Sequence, residues 1–288
     1  MKLHRLSAAM LAAGLIGIAQ TAAADPIRIG IANFGEDPAL NQAVDGFRRA
    51  FAEHGLVEGT DVVFTISHTN FDATLVPQMI ARLAAEDPAV IYTLTTPVSQ
   101  IAMQQLQGSD IPVVFGVVTD PVAAGLVPSW EQGGNGITGS SDRMDMDVVM
   151  DFVRAFLPAA EILGLPYNPG EANDVALLDI AEDAAGRAGL GFASVGVDAV
   201  NDIQQRITAL SAEAEVIYLP TSNLLQPAVN AVAAAARQAG VAVVNSNDLP
   251  VREGIVPASI AVSYELVGFN AGEIALRIID GTAPADIP

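Results

Sequence analysis

Hydroxyl and amide side chains stand at two strand-to-helix turns, where they could bind a small anionic ligand. Thr95-Thr96 follows an apolar run that ends at Leu94, and a proline comes next. Thr221-Ser222-Asn223 occupies the matching place after a second apolar run. Hydroxyl side chains cap helices, and the free N–H groups of a helix start attract an anion by about 0.3–1 kcal/mol when exposed. Each turn could hold a ligand carboxylate or could only cap its own helix.

Two other turns carry side chains that could contact a ligand. Asn33-Phe34 follows the first β-rich run, and its aromatic ring could form one wall of a binding site. Asn168, Glu171 and Asn173 surround a Pro-Gly turn between a predicted strand and a predicted helix. The turn that contains Asn168, Glu171 and Asn173 could also have an ordinary structural role. If they bind a ligand, these three side chains would point into a cleft.

The residues needed for most catalytic or metal sites are missing from the sequence. There is no cysteine and there are only three histidines, so disulfides, thiolate nucleophiles and thiolate metal sites are excluded. No G-x-S-x-G, G-x-x-x-x-G-K-[ST] or H-E-x-x-H motif occurs. Adjacent acids such as Glu182-Asp183 indicate a solvated surface. We therefore expect no catalytic residue, no metal and no cofactor.

Two series of alternating strands and helices must position these turns. The apolar patterns predict strands at 27–32, 62–67, 89–94, 112–118, 137–139, 161–165, 191–197, 216–219, 241–244 and 258–262, and helices at 38–54, 72–85, 97–107, 148–157, 171–188, 202–210, 224–239 and 264–279. Such alternation indicates parallel sheets covered on both faces. The expected fold class is α/β, with two doubly wound, Rossmann-like lobes. Ligands bind such sheets outside the carboxyl ends of the strands.

The two halves share a local pattern that supports two lobes of similar design. Val90-Ile91-Tyr92 is followed by the hydroxyl pair Thr95-Thr96. Val216-Ile217-Tyr218 is followed at the same spacing by Thr221-Ser222. Buried strands resemble one another by chance, but the matching hydroxyl pair is less easily explained that way. Two facing lobes would form a cleft lined by these turns.

Charge and the N-terminal segment predict an exported protein. The chain has 33 acidic and 13 basic residues and a net charge of −20, so it repels phosphate backbones and we expect no nucleic-acid partner. Lys2, His4 and Arg5 precede an apolar run and small residues that end at Ala24. This pattern predicts a secretory signal peptide over residues 1–24, cleaved after Ala24, and a location in the periplasm. A membrane anchor is the alternative, but the apolar run is short for a span.

Three longer segments resemble one protein family. They are VVFGVVTDPVAAGLV at 113–127, GGNGITG at 133–139 and YNPGEAN at 167–173, with Asp174 where the last motif usually has serine. They resemble a family of ABC-transporter substrate-binding proteins associated with tryptophan and tyrosine uptake. The resemblance covers nearly all of the chain after residue 24. It implies the type I periplasmic binding protein fold, whose two lobes close like a hinge on a small ligand. It also implies an inner-membrane permease and its ATPase as partners.

The resemblance extends to single positions of the expected site. Thr96 matches the family's T-P turn, where the helix start would take a ligand carboxylate. Asn247-Asp248 lie where the family usually offers acids. Together with the turns described above, the candidate ligand-binding residues are Asn33, Phe34, Thr95, Thr96, Asn168, Glu171, Asn173, Ser222, Asn223, Asn247 and Asp248.

The partner for a ligand ammonium group stays open at this point. Ser222-Asn223 match a D-N pair of the family, so serine replaces the acid here. A buried ammonium needs an anionic or multiply accepting partner, because an unpaired buried charge is costly. Either Asp248, Asp174 or Glu171 takes this role, or the ligand has no ammonium.

Together these features predict the solute-binding subunit of an ABC importer. We expect a periplasmic monomer that captures a small carboxylate-bearing ligand, such as an aromatic amino acid, between two lobes. The predicted first lobe comprises residues 25–140 and 249–281, and the second 141–248 and 282–288. One alternative is a sensory binding protein that delivers its ligand to a membrane receptor. Another is an exported α/β enzyme.

Overall fold

The structure, a computed structural model, describes residues 25–288. The predicted signal peptide and its cleavage after Ala24 lie outside the described residues. Within residues 25–288, no helix combines the length and apolar character needed to cross a membrane.

The first lobe is a five-stranded sheet with apolar cores on its two faces. Its elements are β1 (Ile27–Asn33), α1 (Pro38–Glu53), β2 (Val62–His68), α2 (Val76–Ala84), β3 (Val90–Leu94), α3 (Thr96–Gln105), β4 (Val113–Val118) and β5 (Ile137–Ser141). The strand order is β2-β1-β3-β4-β5, and every pair is parallel. Strand β3 is buried over its whole length, which explains its unbroken apolar sequence.

The second lobe repeats this design. Its elements are α4 (Met146–Phe156), β6 (Ile162–Tyr167), α5 (Ala172–Arg187), β7 (Gly191–Gly196), α6 (Ile203–Ser211), β8 (Val216–Leu219), α7 (Val229–Gln238), β9 (Ala242–Asn245), α8 (Leu249–Arg252) and β10 (Ala258–Ser259). The parallel sheet has the order β10-β9-β8-β6-β7. Two parallel α/β lobes confirm the predicted fold class. The helix expected from Leu224 begins only at Val229, because a turn fills the intervening residues.

The C-terminal part of the chain departs from the predicted lobe bounds in two places. Strand β10 pairs with β9, and Val256 packs in a core of the second lobe, so residues 251–259 lie with the second lobe rather than the first, whereas Leu249 packs against a core of the first lobe. The tail at 282–288, expected in the second lobe, lies with the first. Ile287 is buried in a core of that lobe, and its carbonyl accepts a hydrogen bond from Thr138 Oγ1 at 3.0 Å.

A long helix, α9 (Tyr264–Ile279), returns the chain to the first lobe and packs closely against α1. Glycines make the close approach possible. A Cβ at Gly46 of α1 would overlap the carbonyl oxygen of Glu265, and a Cβ at Gly268 of α9 would overlap that of Ala43. The two helix backbones therefore touch where glycine leaves room.

A buried carboxylate lies where the chain crosses between the lobes. Asp142 follows β5 at the first crossing, and its Oδ1 accepts a hydrogen bond from Thr119 Oγ1 at 3.2 Å. The Thr119 hydroxyl lies 3.3 Å from Thr221 Oγ1 of the second lobe. The Tyr264 hydroxyl, at the second crossing, also neighbours the carboxylate. Burial raises the pKa of Asp142 to about 6, and these hydroxyl groups offset only part of the effect.

The helix contact predicts a large difference between two glycine variants. Gly268→Ala should lower the free energy of unfolding by about 3 kcal/mol, because the methyl group forces α1 and α9 apart. Gly186→Ala in α5 is the matched control: nothing lies within 4 Å of its added Cβ. It should be neutral or stabilising by up to about 1 kcal/mol. Urea unfolding of both variants measures this, and equal stabilities would contradict the close packing.

The raised pKa of Asp142 predicts a pH-dependent stability. The neutral form is favoured in the folded protein, with a pKa of about 6 against an ordinary value of 3.8, so its stabilising contribution is present below pH 3.8 and is lost as pH rises through 6. In the variant Asp142→Asn, the amide does not titrate. From pH 7.5 to 4.5, wild type should therefore gain about 2 kcal/mol relative to this variant. Denaturant unfolding at both pH values measures the difference, and a constant difference would contradict the burial of an ionisable group.

Candidate functional site between the lobes

A cavity of about 430 Å³, including space open to solvent, lies between the two lobes at the carboxyl ends of their strands. Five of the predicted site residues line it: Thr96, Asn173, Ser222, Asn223 and Asn247. The lining also contains residues that the sequence analysis did not select as ligand contacts, including Asp37, Leu40, Phe71, Val117, Thr119, Thr221, Gln226 and Tyr264.

On the first lobe, the start of α3 is not capped by a side chain. The N-cap is Thr95 rather than the expected Thr96, and its side chain makes no capping hydrogen bond. The Oγ1 atoms of Thr95 and Thr96 are both buried without a hydrogen-bond partner among residues 25–288. Thr96 lines the cavity and Thr95 does not. A buried hydroxyl without a partner is costly, so the arrangement favours a ligand group beside Thr96.

The second-lobe turn is occupied by a carboxylate of the protein itself. Glu171 Oε2 accepts hydrogen bonds from the backbone N–H of Asn223 at 3.0 Å and from its Nδ2 at 2.7 Å. Glu171 Oε1 accepts from the backbone N–H of Leu224 at 3.1 Å and from Asn168 Nδ2 at 2.8 Å. The N–H groups that the sequence analysis offered to a ligand anion at this turn are therefore bonded to Glu171. Neither Asn168 nor Glu171 lines the cavity.

Asn173 is held in one orientation by the same cluster. Its Nδ2 donates to Asp174 Oδ1 at 2.8 Å and to the Thr221 carbonyl at 3.4 Å. Burial, together with the neighbouring charge of Glu171, raises the pKa of Asp174. Because Nδ2 faces these acceptors, Oδ1 is fixed on the other side, and it has no hydrogen-bond partner among residues 25–288. Asn173 therefore brings an unpaired acceptor to the cavity wall.

Gln226 adds a second fixed amide that the sequence analysis missed. Its Nε2 donates to the Pro220 carbonyl and to Asn245 Oδ1, each at 2.7 Å. Its Oε1 is buried without a partner among the described residues. Gln226 lies four residues after Ser222, in the irregular segment 221–228, where the sequence pattern predicted a helix from Leu224 onward.

The structure places the remaining candidates away from the cavity. Asn33 is buried, with its Nδ2 3.5 Å from Asn41 Oδ1. Asp248 forms an ion pair with Arg252 at 2.6 Å, and 43% of its side chain is exposed. Phe34 lies behind the wall, packed edge-to-face on Phe71 with ring centroids 5.4 Å apart. Phe71 rather than Phe34 is the aromatic residue of the lining.

Strained backbone conformations cluster at this site. Phe71 has φ +64°, Thr95 has φ +80° and Val117 has φ +57°. Side chains with a Cβ rarely adopt such values, which cost about 1–3 kcal/mol each. Val117 lies at an irregularity in the pairing of β4 with β5. Positive φ angles at single residues cannot be predicted from the pattern of apolar residues that indicates strands and helices.

Comparisons with known proteins match this architecture. Residues 28–288 match the family described as ABC transporter substrate binding protein. A tyrosine-binding protein of Clostridioides difficile (strain R20291) is 29% identical over 260 residues, which cover 90% of this chain and 74% of that relative.

Two solved structures are similar over most of the chain. A conserved domain protein from Vibrio cholerae is 27% identical, with a TM-score of 0.84 and coverage of 91% of this chain and 88% of the other. A Streptococcus pneumonia ABC domain in complex with L-Trp is 23% identical, with a TM-score of 0.85 and coverage of 92% and 88%. The fold is thus that of type I periplasmic binding proteins, as predicted. The chain belongs to the family of ABC transporter substrate binding proteins.

Proposed function

We propose that this protein is the solute-binding subunit of an ABC importer and captures an aromatic amino acid between its lobes. The observation that carries the proposal is the buried, unpartnered Thr96 hydroxyl at the uncapped start of the ten-residue helix α3, on the cavity wall. A ligand carboxylate there would accept hydrogen bonds from the hydroxyl and from the helix N-terminus. The tyrosine-binding relative supports an aromatic amino acid as the ligand.

The proposed site draws on both lobes. Thr96 and Phe71 come from the first lobe, and Asn173 and Gln226 come from the second. The 3.3 Å contact between the Thr119 and Thr221 hydroxyls bridges the two sides. A ligand that contacts both walls stabilises the closed arrangement over an open one, which is how a hinged binding protein signals that it is loaded.

The predicted site residues take different roles in this proposal. Those on the cavity wall would contact the ligand: Thr96, Asn173, Ser222, Asn223 and Asn247. Glu171 and Asn168 would position the second-lobe turn through their hydrogen bonds. Thr95 would fix the start of α3 through its backbone alone, whose N–H donates to the Gly116 carbonyl at 3.0 Å. We assign no ligand contact to Asn33, Phe34 or Asp248.

The proposal also includes export of the protein to the periplasm and delivery of its ligand to a membrane transporter. The N-terminal pattern supports removal of residues 1–24 and a periplasmic location. The family supports a permease and an ATPase as partners in the inner membrane. A sensory protein that presents the ligand to a receptor would use the same lobes; permease and ATPase genes beside this gene would distinguish transport from sensing.

Removing one hydroxyl tests the carboxylate site. Thr96→Val keeps the branched shape, and we expect it to weaken binding of L-tyrosine or L-tryptophan about tenfold, because one hydrogen bond to a charged group is lost. Thr95→Val is the matched control, since its hydroxyl is equally buried but not on the wall. Isothermal titration calorimetry gives the affinities. Unchanged affinity in Thr96→Val, or an equal loss in both variants, would remove the start of α3 from the site.

A further inference from the structure

None of the three acids considered from the sequence is placed to meet a ligand ammonium. Asp248 is paired with Arg252 at 2.6 Å and lies outside the cavity lining. Both oxygens of Glu171 are taken by protein N–H donors. Asp174 is buried, and its oxygens accept from Asn168 N at 2.7 Å and Asn173 Nδ2 at 2.8 Å. Glu171 and Asp174 therefore have a structural role, because their carboxylate oxygens are bonded to groups of the protein.

One other carboxylate does line the cavity. Asp37 is the N-cap of α1, where its Oδ1 accepts hydrogen bonds from the N–H groups of Ala39 at 2.8 Å and Leu40 at 3.3 Å. Its Oδ2 makes no hydrogen bond, and no basic side chain lies within 4.0 Å of it, among residues 25–288. Asp37 is also the only residue of the cavity lining, among those described, that carries a formal charge.

The neighbouring wall offers acceptors rather than donors. The oxygens Asn173 Oδ1 and Gln226 Oε1 are buried without partners, and both residues line the cavity. Neither amide can be turned around, because each nitrogen already donates to a backbone carbonyl, that of Thr221 or Pro220. A negative charge together with two unpaired acceptors calls for a ligand group with several N–H donors and a positive charge.

We propose that Asp37 is the anionic partner of the ligand's ammonium group and makes the site selective for amino acids over the corresponding acids without the amine. The inference rests on the proposed function and names a specificity residue for it. The carboxylate end of the ligand lies at α3, and its ammonium end lies between Asp37 and the amide oxygens of Asn173 and Gln226. In this arrangement Asp37 takes over the charge that serine at position 222 cannot supply.

The test combines a variant of the protein with a variant of the ligand. Asp37→Asn removes the charge, and asparagine caps a helix as well as aspartate does, so α1 is preserved. Calorimetry compares L-tyrosine with 3-(4-hydroxyphenyl)propionate, and L-tryptophan with indole-3-propionate. In Asp37→Asn we expect the amino acid to bind about 10- to 100-fold more weakly and the acid without the amine to stay within about threefold.

Two further variants control for folding and for charge in general. Asp145→Asn removes the same charge from the N-cap of α4, whose Oδ1 accepts from Asp147 N at 2.9 Å outside the cavity lining. It should leave both affinities unchanged. Asp37→Ser, another good helix cap, should reproduce the selective loss if Asp37→Asn is unstable. Melting temperatures of the ligand-free proteins establish that each variant is folded.

The outcomes separate this inference from the proposed function. If wild type binds the amino acid and a folded Asp37 variant loses affinity for both ligands equally, or for neither, the role of Asp37 is wrong and the function stands. If wild type binds none of the four ligands, the proposed function is wrong and the role of Asp37 falls with it. Selective loss of the amino acid alone supports both.

Discussion

The shape of the cleft depends on one buried carboxylate, Glu171. By accepting hydrogen bonds from the second-lobe turn and from Asn168, it ties two loops of that lobe together. It also accepts the hydrogen bonds of the backbone N–H groups of that turn, so in the proposed function the start of α3 on the first lobe is the place for a ligand anion. The cost of burying this charge is offset by its several hydrogen bonds, and each donor removed would leave it less compensated. In the proposed binding mode, this carboxylate therefore leaves the first-lobe wall as the site for the carboxylate end of the ligand.

In the proposed function the two lobes close on a ligand, and the packing shows which parts of the chain belong to one body. Helices α1 and α9 meet through glycines and make the first lobe one body that includes the chain's last residues. The lobes touch through small hydroxyl contacts, such as Thr119 with Thr221, around the buried Asp142. In the proposed function, a ligand that contacts both lobes would shift the balance toward the closed arrangement.

The sequence was sufficient to predict what depends on local patterns. Apolar runs predicted both sheets. Thr96, Asn173 and Ser222 were among the candidates because they lie between the end of a strand and the first turn of the next helix, and all three line the cavity. Residues brought in by irregular backbone were missed. Phe71 and Val117 reach the lining at positive φ, and Gln226 does so through a bend where a helix was expected. Asp37 carried a visible signal, an acid before a proline at a helix start, but that signal fits plain capping equally well.

A crystal structure of the protein grown with L-tyrosine tests the central claim most directly, namely that the cavity between the lobes binds the two charged ends of an amino acid. The account predicts density for tyrosine between the lobes, with its carboxylate at hydrogen-bond distance from Thr96 Oγ1 and the start of α3. Its ammonium should lie beside Asp37 and Asn173 Oδ1. Tyrosine bound elsewhere, or bound in the cleft with its carboxylate away from α3, would contradict the account.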